Sequence, residues 1–153
     1  MTQPTVRFAA TRDSSSIQGV SFVPKIKTFK VTVTGADNLD FWLAPAGTFV
    51  SRVVAWIEDA LNGSGTVEIG TSANADALID TADWNEANAN AVATNVGSSN
   101  ADNPAGLFLP TATQMRITIG GSPTEGTVCG FIEYFELADM CADDNIHYDL
   151  TAV

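Results

Sequence analysis

Catalysis in a small domain calls for a histidine, an activated cysteine or a placed pair of carboxylates, and the first two are scarce in this sequence. Its one histidine, His147, lies in a polar C-terminal stretch beside Tyr148, with no nearby Ser and Asp order that would make a nucleophilic triad. Two cysteines, Cys129 and Cys141, form no CxxC pair, and with a single histidine they match no common zinc pattern. Cys129 sits inside an apolar run and reads as a buried reduced thiol. Neither GxGxxG nor a P-loop is present, so nucleotide chemistry has no foothold. Carboxylates, in contrast, number eighteen. Asp76, Asp80 and Asp83 form the sharpest grouping, with Asp143 and Asp144 near the C-terminus, and hard oxygen ligands of this kind could hold calcium. EF-hand spacing is absent, and in so acidic a chain carboxylates fall near one another by chance; the reading adopted is solvation, with no metal and no cofactor. Nothing singles out two acids as a glycosidase pair. The expectation is a protein that is not an enzyme.

Three tryptophans raise a different chemistry, because aromatic faces stack on sugar rings. Trp42 and Trp56 lie in strand-like runs and read as core or interface packing, whereas Trp84 lies in a polar stretch and is a candidate partner or ligand contact. Seven Lys plus Arg against eighteen Asp plus Glu give a formal net charge of −11, which repels phosphate backbones and argues against nucleic acid as a partner. Lys25, Lys27 and Lys30 read as a solvated guard on an edge strand. No stretch approaches the roughly 18 apolar residues that span a bilayer, and MTQPTVRFAATRD lacks the apolar core of a secretory signal, so the expectation is synthesis in a cytoplasm and no membrane partner.

The elements that would position these residues read as β throughout. A 45% hydrophobic, 16% charged chain with twelve glycines and six prolines suits one globular domain rich in turns. Residues 1–24 lack a sustained period and read as an extended arm, ordered either on a neighbour or on its own domain, with Val6, Arg7, Phe8, Ile17, Val20 and Phe22 as its candidate partner contacts. Alternation begins at Thr28, with Phe29, Val31 and Val33 on one side. Leu39–Leu43 is a second strand, and Phe49–Leu61 a third, with an Asn-Gly-Ser-Gly turn at 62–65 predicting a hairpin into TVEIGT at 66–71. Residues 72–105 form a long irregular excursion in which Asp83 and Glu86 could start a short helix. Leu107–Leu109, Thr113–Ile119 and Thr127–Leu137 complete seven or eight strands, an all-β sandwich or jelly roll over 25–140, followed by a polar tail at 141–153.

The strands around 49–57 and 127–137 are apolar on both faces: Val128, Ile132 and Tyr134 on one side of the last strand, and Cys129, Phe131, Phe135 and Leu137 on the other. A sandwich buries only one face of each sheet. The second must be covered by the 72–105 excursion, by the terminal arms or by another subunit, and a mixture of these implies a homo-oligomer.

The run FWLAPAGTFVSRVVAWIEDALNGSGTVEIGTSANADALIDTADW at 41–84 and the closing GTVCGFIEYFEL at 126–137 resemble small virion structural proteins of tailed bacteriophages, of the capsid decoration (cement) type. The resemblance covers about half the chain and is one of pattern. It implies a protein that binds the outer face of the capsid in the virion, bridges subunits of the major capsid protein, often as a trimer, and uses residues 1–24 as a clamp. The alternative is a tail or fibre-associated sandwich that binds a host glycan or another tail protein. The Asn/Ala-rich stretch at 85–103 departs from the family pattern.

Overall fold

A computed structural model describes residues 24–137 together with residues 6–8 and 146–148. The expectations placed on Ile17, Val20, Phe22, Cys141, Asp143 and Asp144 lie outside the described residues. The strands are β1 (Val6–Phe8), β2 (Lys25–Thr32), β3 (Asp37–Ala44), β4 (Thr48–Asp59), β5 (Thr66–Thr71), β6 (Val92–Thr94), β7 (Leu107–Leu109), β8 (Thr113–Gly120), β9 (Thr127–Glu136) and β10 (Ile146–Tyr148). All their pairings are antiparallel. A five-stranded sheet runs β2–β9–β4, with β7 and β6 side by side along the far edge of β4, and a three-stranded sheet runs β3–β8–β5. β1 and β10 pair as a separate ribbon. This is the β-sandwich that the alternating pattern predicts.

The core lies between the two sheets. Val50, Val53, Ala55, Ile57, Val128 and Ile132 of the larger sheet face Val67, Ile69, Met115 and Ile117 of the smaller one, and all are fully buried. Burying such side chains is the main term holding the sandwich, at about 1.5–3 kcal/mol for each Val, Leu or Ile. Phe29 meets Phe41 at 5.2 Å between ring centroids and Trp42 meets Tyr134 at 4.5 Å, so aromatic pairs lock the two sheets together beside the aliphatic core. Gly130 in mid-strand makes room for this: a Cβ there would strike the ring of Phe29, its register partner on β2.

Strict alternation along β4 would put Arg52 on the same face as Val50. The register with β9 shifts between Val50 and Arg52, and this bulge at Ser51 returns Val53, Ala55 and Ile57 to the core while Arg52 points outward. The Ser51 hydroxyl donates to the Glu133 side chain at 2.8 Å, giving the bulged residue a partner on β9.

Two expectations are corrected. The turn at 62–65 has the chemistry of a tight hairpin, with Gly63 at φ 59°, Ser64 at φ 57° and a Gly65 N–H donating to the Asn62 carbonyl at 3.0 Å. Its flanking strands nevertheless do not pair: β4 joins β9 and β5 joins β8 in the opposite sheet. Paired in one sheet, their apolar faces would lie side by side with nothing opposite; crossing over places Val67 and Ile69 across the core from β4. The helix start expected at Asp83 and Glu86 is a single 3-10 turn, Thr81–Asp83, whose capping box is formed by Asp80 and Asp83. It goes no further because Glu86 is drawn inward, where its carboxylate accepts the Val67 N–H at 3.0 Å.

The long excursion is better ordered than its composition suggests. Ile79 bridges to Ile69 on β5, and the backbone of Asn90 and Ala91 bonds to both sides of Ile57 on β4, so the stretch closes one side of the sandwich from sheet to sheet. Leu78 and Ile79 are fully buried there. Asn95, also fully buried, accepts the Val53 N–H at 2.8 Å and donates to the Asn103 carbonyl at 3.3 Å.

Candidate partner-binding surface

With the excursion on the side of the sandwich, the outer face of the five-stranded sheet is left open. Register fixes its rows. Phe108, Phe49 and Phe135 lie abreast on β7, β4 and β9; Val54 and Phe131 lie abreast further along; then come Val92, Trp56 and Cys129. Phe108 is 52% exposed and Val92 60%, with Ile26 of β2 and Trp56 also exposed. A contiguous apolar face of this kind marks a contact surface.

Charge is confined to narrow bands on this face. Arg52 lies over the Phe131 ring at 5.8 Å from its centroid and pairs with Glu133 at 3.3 Å. Lys30 pairs with Glu58, and that hydrogen bond raises the lysine pKa above its ordinary value. Lys25 pairs with Glu136 on the opposite side of the sheet, at the end of β2 and β9. The three lysines thus stand on β2, the outermost strand of the sheet, as the sequence predicts. Cys129 is a free, buried thiol, and burial raises its pKa, which keeps it protonated and unreactive.

On the smaller sheet the surface is polar apart from Leu43, which is 60% exposed. Arg116 grips Asp40 across β8 and β3 with two hydrogen bonds, of 2.7 and 3.2 Å, and holds that carboxyl below its ordinary pKa. Glu68 behaves oppositely. Burial pushes its carboxyl above the ordinary carboxylate value, and the charges of Asp76, Asp80 and Glu86 add to the shift. Raising the folded-state pKa of an acid means that the protonated form favours the fold, a contribution present below the unfolded value of about 4.3 and lost as pH rises through the folded one. Glu68→Gln therefore raises the melting temperature by about 2 °C at neutral pH and by nothing near pH 3.5, where the wild-type carboxyl is already protonated. Thermal melts at the two pH values check this, and an equal gain at both would exclude ionisation as the cause.

Of the residues singled out from sequence, Val6, Arg7 and Phe8 form β1, in register with Tyr148, His147 and Ile146 of β10. The arm and the C-terminal tail therefore meet, a pairing no local pattern announces. Trp84 is half-buried against the core and its indole N–H donates to the Val67 carbonyl at 3.2 Å. Asp83 is engaged by Ser98, Asn100 and the Asp80 backbone N–H, all of which donate to its carboxylate. Among the described residues no group of three or more His, Cys, Asp or Glu side chains is arranged to hold a metal. Sequence reasoning located Trp56, Phe131 and Phe135 through the two-faced strands, but missed Ile26, Val92 and Phe108. Val92 sits in a three-residue strand too short to show a period, and in Leu107–Leu109, read as a strand, all three residues are apolar, so no alternation marks which one faces out.

The sequence matches no protein-family profile and no characterised protein. Its structure does find a counterpart: a chain of the cyanophage Pam1 capsid asymmetric unit superposes with a TM-score of 0.52 at 17% identity, covering 74% of this chain and 86% of that one. The fold is shared with a phage capsid chain. At this identity the likeness is one of architecture.

Proposed function

We propose that this chain is a non-enzymatic structural protein of a phage virion, a decoration subunit that binds the outer surface of the capsid and bridges neighbouring copies of the major capsid protein. The observation that carries the reading is the open apolar face of the five-stranded sheet on a sandwich whose fold is shared with a capsid chain. Successive strands alternate between the two sheets from β2 to β5, and β8 and β9 return one to each, a winding in keeping with a jelly roll. Trimeric association around a symmetry axis suits a subunit with one such face, and the strongly acidic surface suits contact with protein and neither nucleic acid nor membrane. Residues 1–24, with Val6, Arg7, Phe8, Ile17, Val20 and Phe22, act as the clamp, by strand addition to an exposed sheet edge of the shell. Trp84 belongs to the same reading as a contact at the rim.

A ligand that prefers the expanded shell stabilises it by mass action. Purified protein added to expanded capsids that lack it binds saturably and raises their resistance to heat or low salt, and protein without residues 1–24 binds at least tenfold more weakly. Absence of binding to any capsid form refutes the decoration role.

A further inference from the structure

We propose that Asn62, which precedes Gly63, is a site of spontaneous conversion to aspartate and isoaspartate, and that the turn at 121–126 holds this conversion in check. Asn62–Gly63 is the one Asn-Gly step in the sequence. Backbone geometry demands the glycine. Gly63 lies at φ 59°, and a Cβ there would strike the Ser122 carbonyl; facing it, Gly121 lies at φ 75°, and a Cβ there would strike the Ser64 carbonyl. The Ser122 N–H donates to the Gly63 carbonyl at 3.2 Å. Two turns therefore lie backbone against backbone where β4 crosses to β5 in the small sheet and β8 crosses back to β9.

The Asn62 side chain ties the same two turns. Its Oδ1 accepts the Thr124 N–H at 2.7 Å, which fixes the orientation of the amide; its Nδ2 donates to the Thr124 hydroxyl at 2.8 Å and to Glu125 Oε1 at 3.3 Å. Asparagine is a thermally labile residue, most of all before glycine, where no side chain shields the next amide nitrogen. The Gly63 nitrogen bonds to Asn62 Cγ and gives up its proton, and the side-chain nitrogen takes up a proton and leaves as ammonia. The five-membered imide so formed adds one water at either carbonyl and opens to aspartate or isoaspartate. Ring closure needs Cγ to swing onto the Gly63 nitrogen, and the three hydrogen bonds to the neighbouring turn oppose that rotation. Asn62 is partly exposed and Gly63, Thr124 and Glu125 are exposed, so water reaches the step without global unfolding. The product has no side-chain N–H for Thr124 and Glu125 and sets a carboxylate against that of Glu125, so conversion loosens the joint between the turns.

The test needs no capsid, so its result stands apart from that of the decoration reading. Full-length wild type, Thr124→Ala/Glu125→Ala and Ile117→Val are held at mildly alkaline pH, beside wild type unfolded in guanidinium chloride. A glutamate-specific protease then releases the fragment Asp59–Glu68, in which Asn62 is the one side-chain amide, and mass spectrometry times its gain of one mass unit. Native wild type is expected to convert at least tenfold more slowly than the unfolded chain, and the double variant at least fivefold faster than native wild type. Ile117→Val, which weakens the core and leaves the turns intact, keeps the wild-type rate. Equal rates in folded and unfolded wild type overturn the proposal, as does a double variant no faster than wild type. An equal acceleration in Ile117→Val assigns the rate to global unfolding and overturns it too. Asn62→Asp, which imitates one product, lowers the melting temperature by about 3 °C. An unchanged melt would mean that the side-chain bonds restrain nothing, and the proposal would fall.

Discussion

Replacing Asn95 with alanine lowers the free energy of unfolding by about 3 kcal/mol, a drop of about 10 °C in melting temperature for a domain of this size. Asn95 is fully buried, and its side-chain oxygen is the acceptor for the Val53 N–H, just past the β4 bulge. β7 pairs with Thr48–Val50 and β6 with Val54–Trp56, so this amide falls in the gap between them and takes its partner from the residue that follows β6. The Asn95 amide group in turn holds the Asn103 carbonyl. Alanine strands the Val53 N–H away from water, while the Asn103 carbonyl keeps the Gly106 N–H at 3.1 Å, and the cost is the desolvation of the unpaired amide together with a small cavity. Leucine restores the volume without the hydrogen bonds and remains destabilising by a similar amount, which separates the polar contribution from the packing one. Urea unfolding of the three proteins measures this; a leucine variant as stable as wild type would show that the hydrogen bonds contribute nothing.

Ile117→Ala costs about 4 kcal/mol, and Ile117→Val about 1 kcal/mol. Ile117 is fully buried at the centre of β8, abreast of Leu39 on β3 and Ile69 on β5, so deletion of its side chain leaves a void that the flanking strands of the small sheet cannot both move to fill. The matching change on the outer face, Ile26→Ala, alters stability by no more than about 0.5 kcal/mol, because Ile26 is 54% exposed. Denaturant melts of the three variants thus distinguish the inner from the outer apolar face. A large loss at Ile26 in the isolated protein would mean that its face is covered in solution, the outcome expected only where copies have already associated.

Much of the sandwich was legible from one-dimensional pattern. Met115, Ile117 and Ile119 alternate with Gln114, Arg116 and Thr118, and that period of two is what a strand with one buried face requires, wherever it lies in the chain. The same reasoning placed Phe29, Val31 and Val33 inward and Lys25, Lys27 and Lys30 on an edge strand. It also identified the surplus of apolar residues on β4 and β9, half of the candidate surface. Those features depend only on near neighbours in sequence, and the burial they imply is the dominant energy of the fold.

What lay beyond the sequence depends on partners far along it. The bulge at Ser51 changes the phase of β4, and a pattern read with unbroken alternation puts Arg52 where Val53 belongs; the core opposite decides which phase is kept. The turn at 62–65 has hairpin chemistry whether its strands pair or part, and only the need to place Val67 and Ile69 across from Val53 and Ile57 sends β5 to the other sheet. Asn95 reads as one more polar residue in an Asn-rich stretch until the unpaired Val53 amide is known. The sequence by itself thus determined the class of the fold, the strands β2 to β5 and β7 to β9, and the absence of familiar catalytic patterns, because these follow from local periodicity and composition. The tertiary structure alone decided which strands share a sheet, that the two ends of the chain pair, and that the excursion closes a side and leaves the outer face open. Each of these is a choice among long-range contacts that local propensity leaves equal in energy.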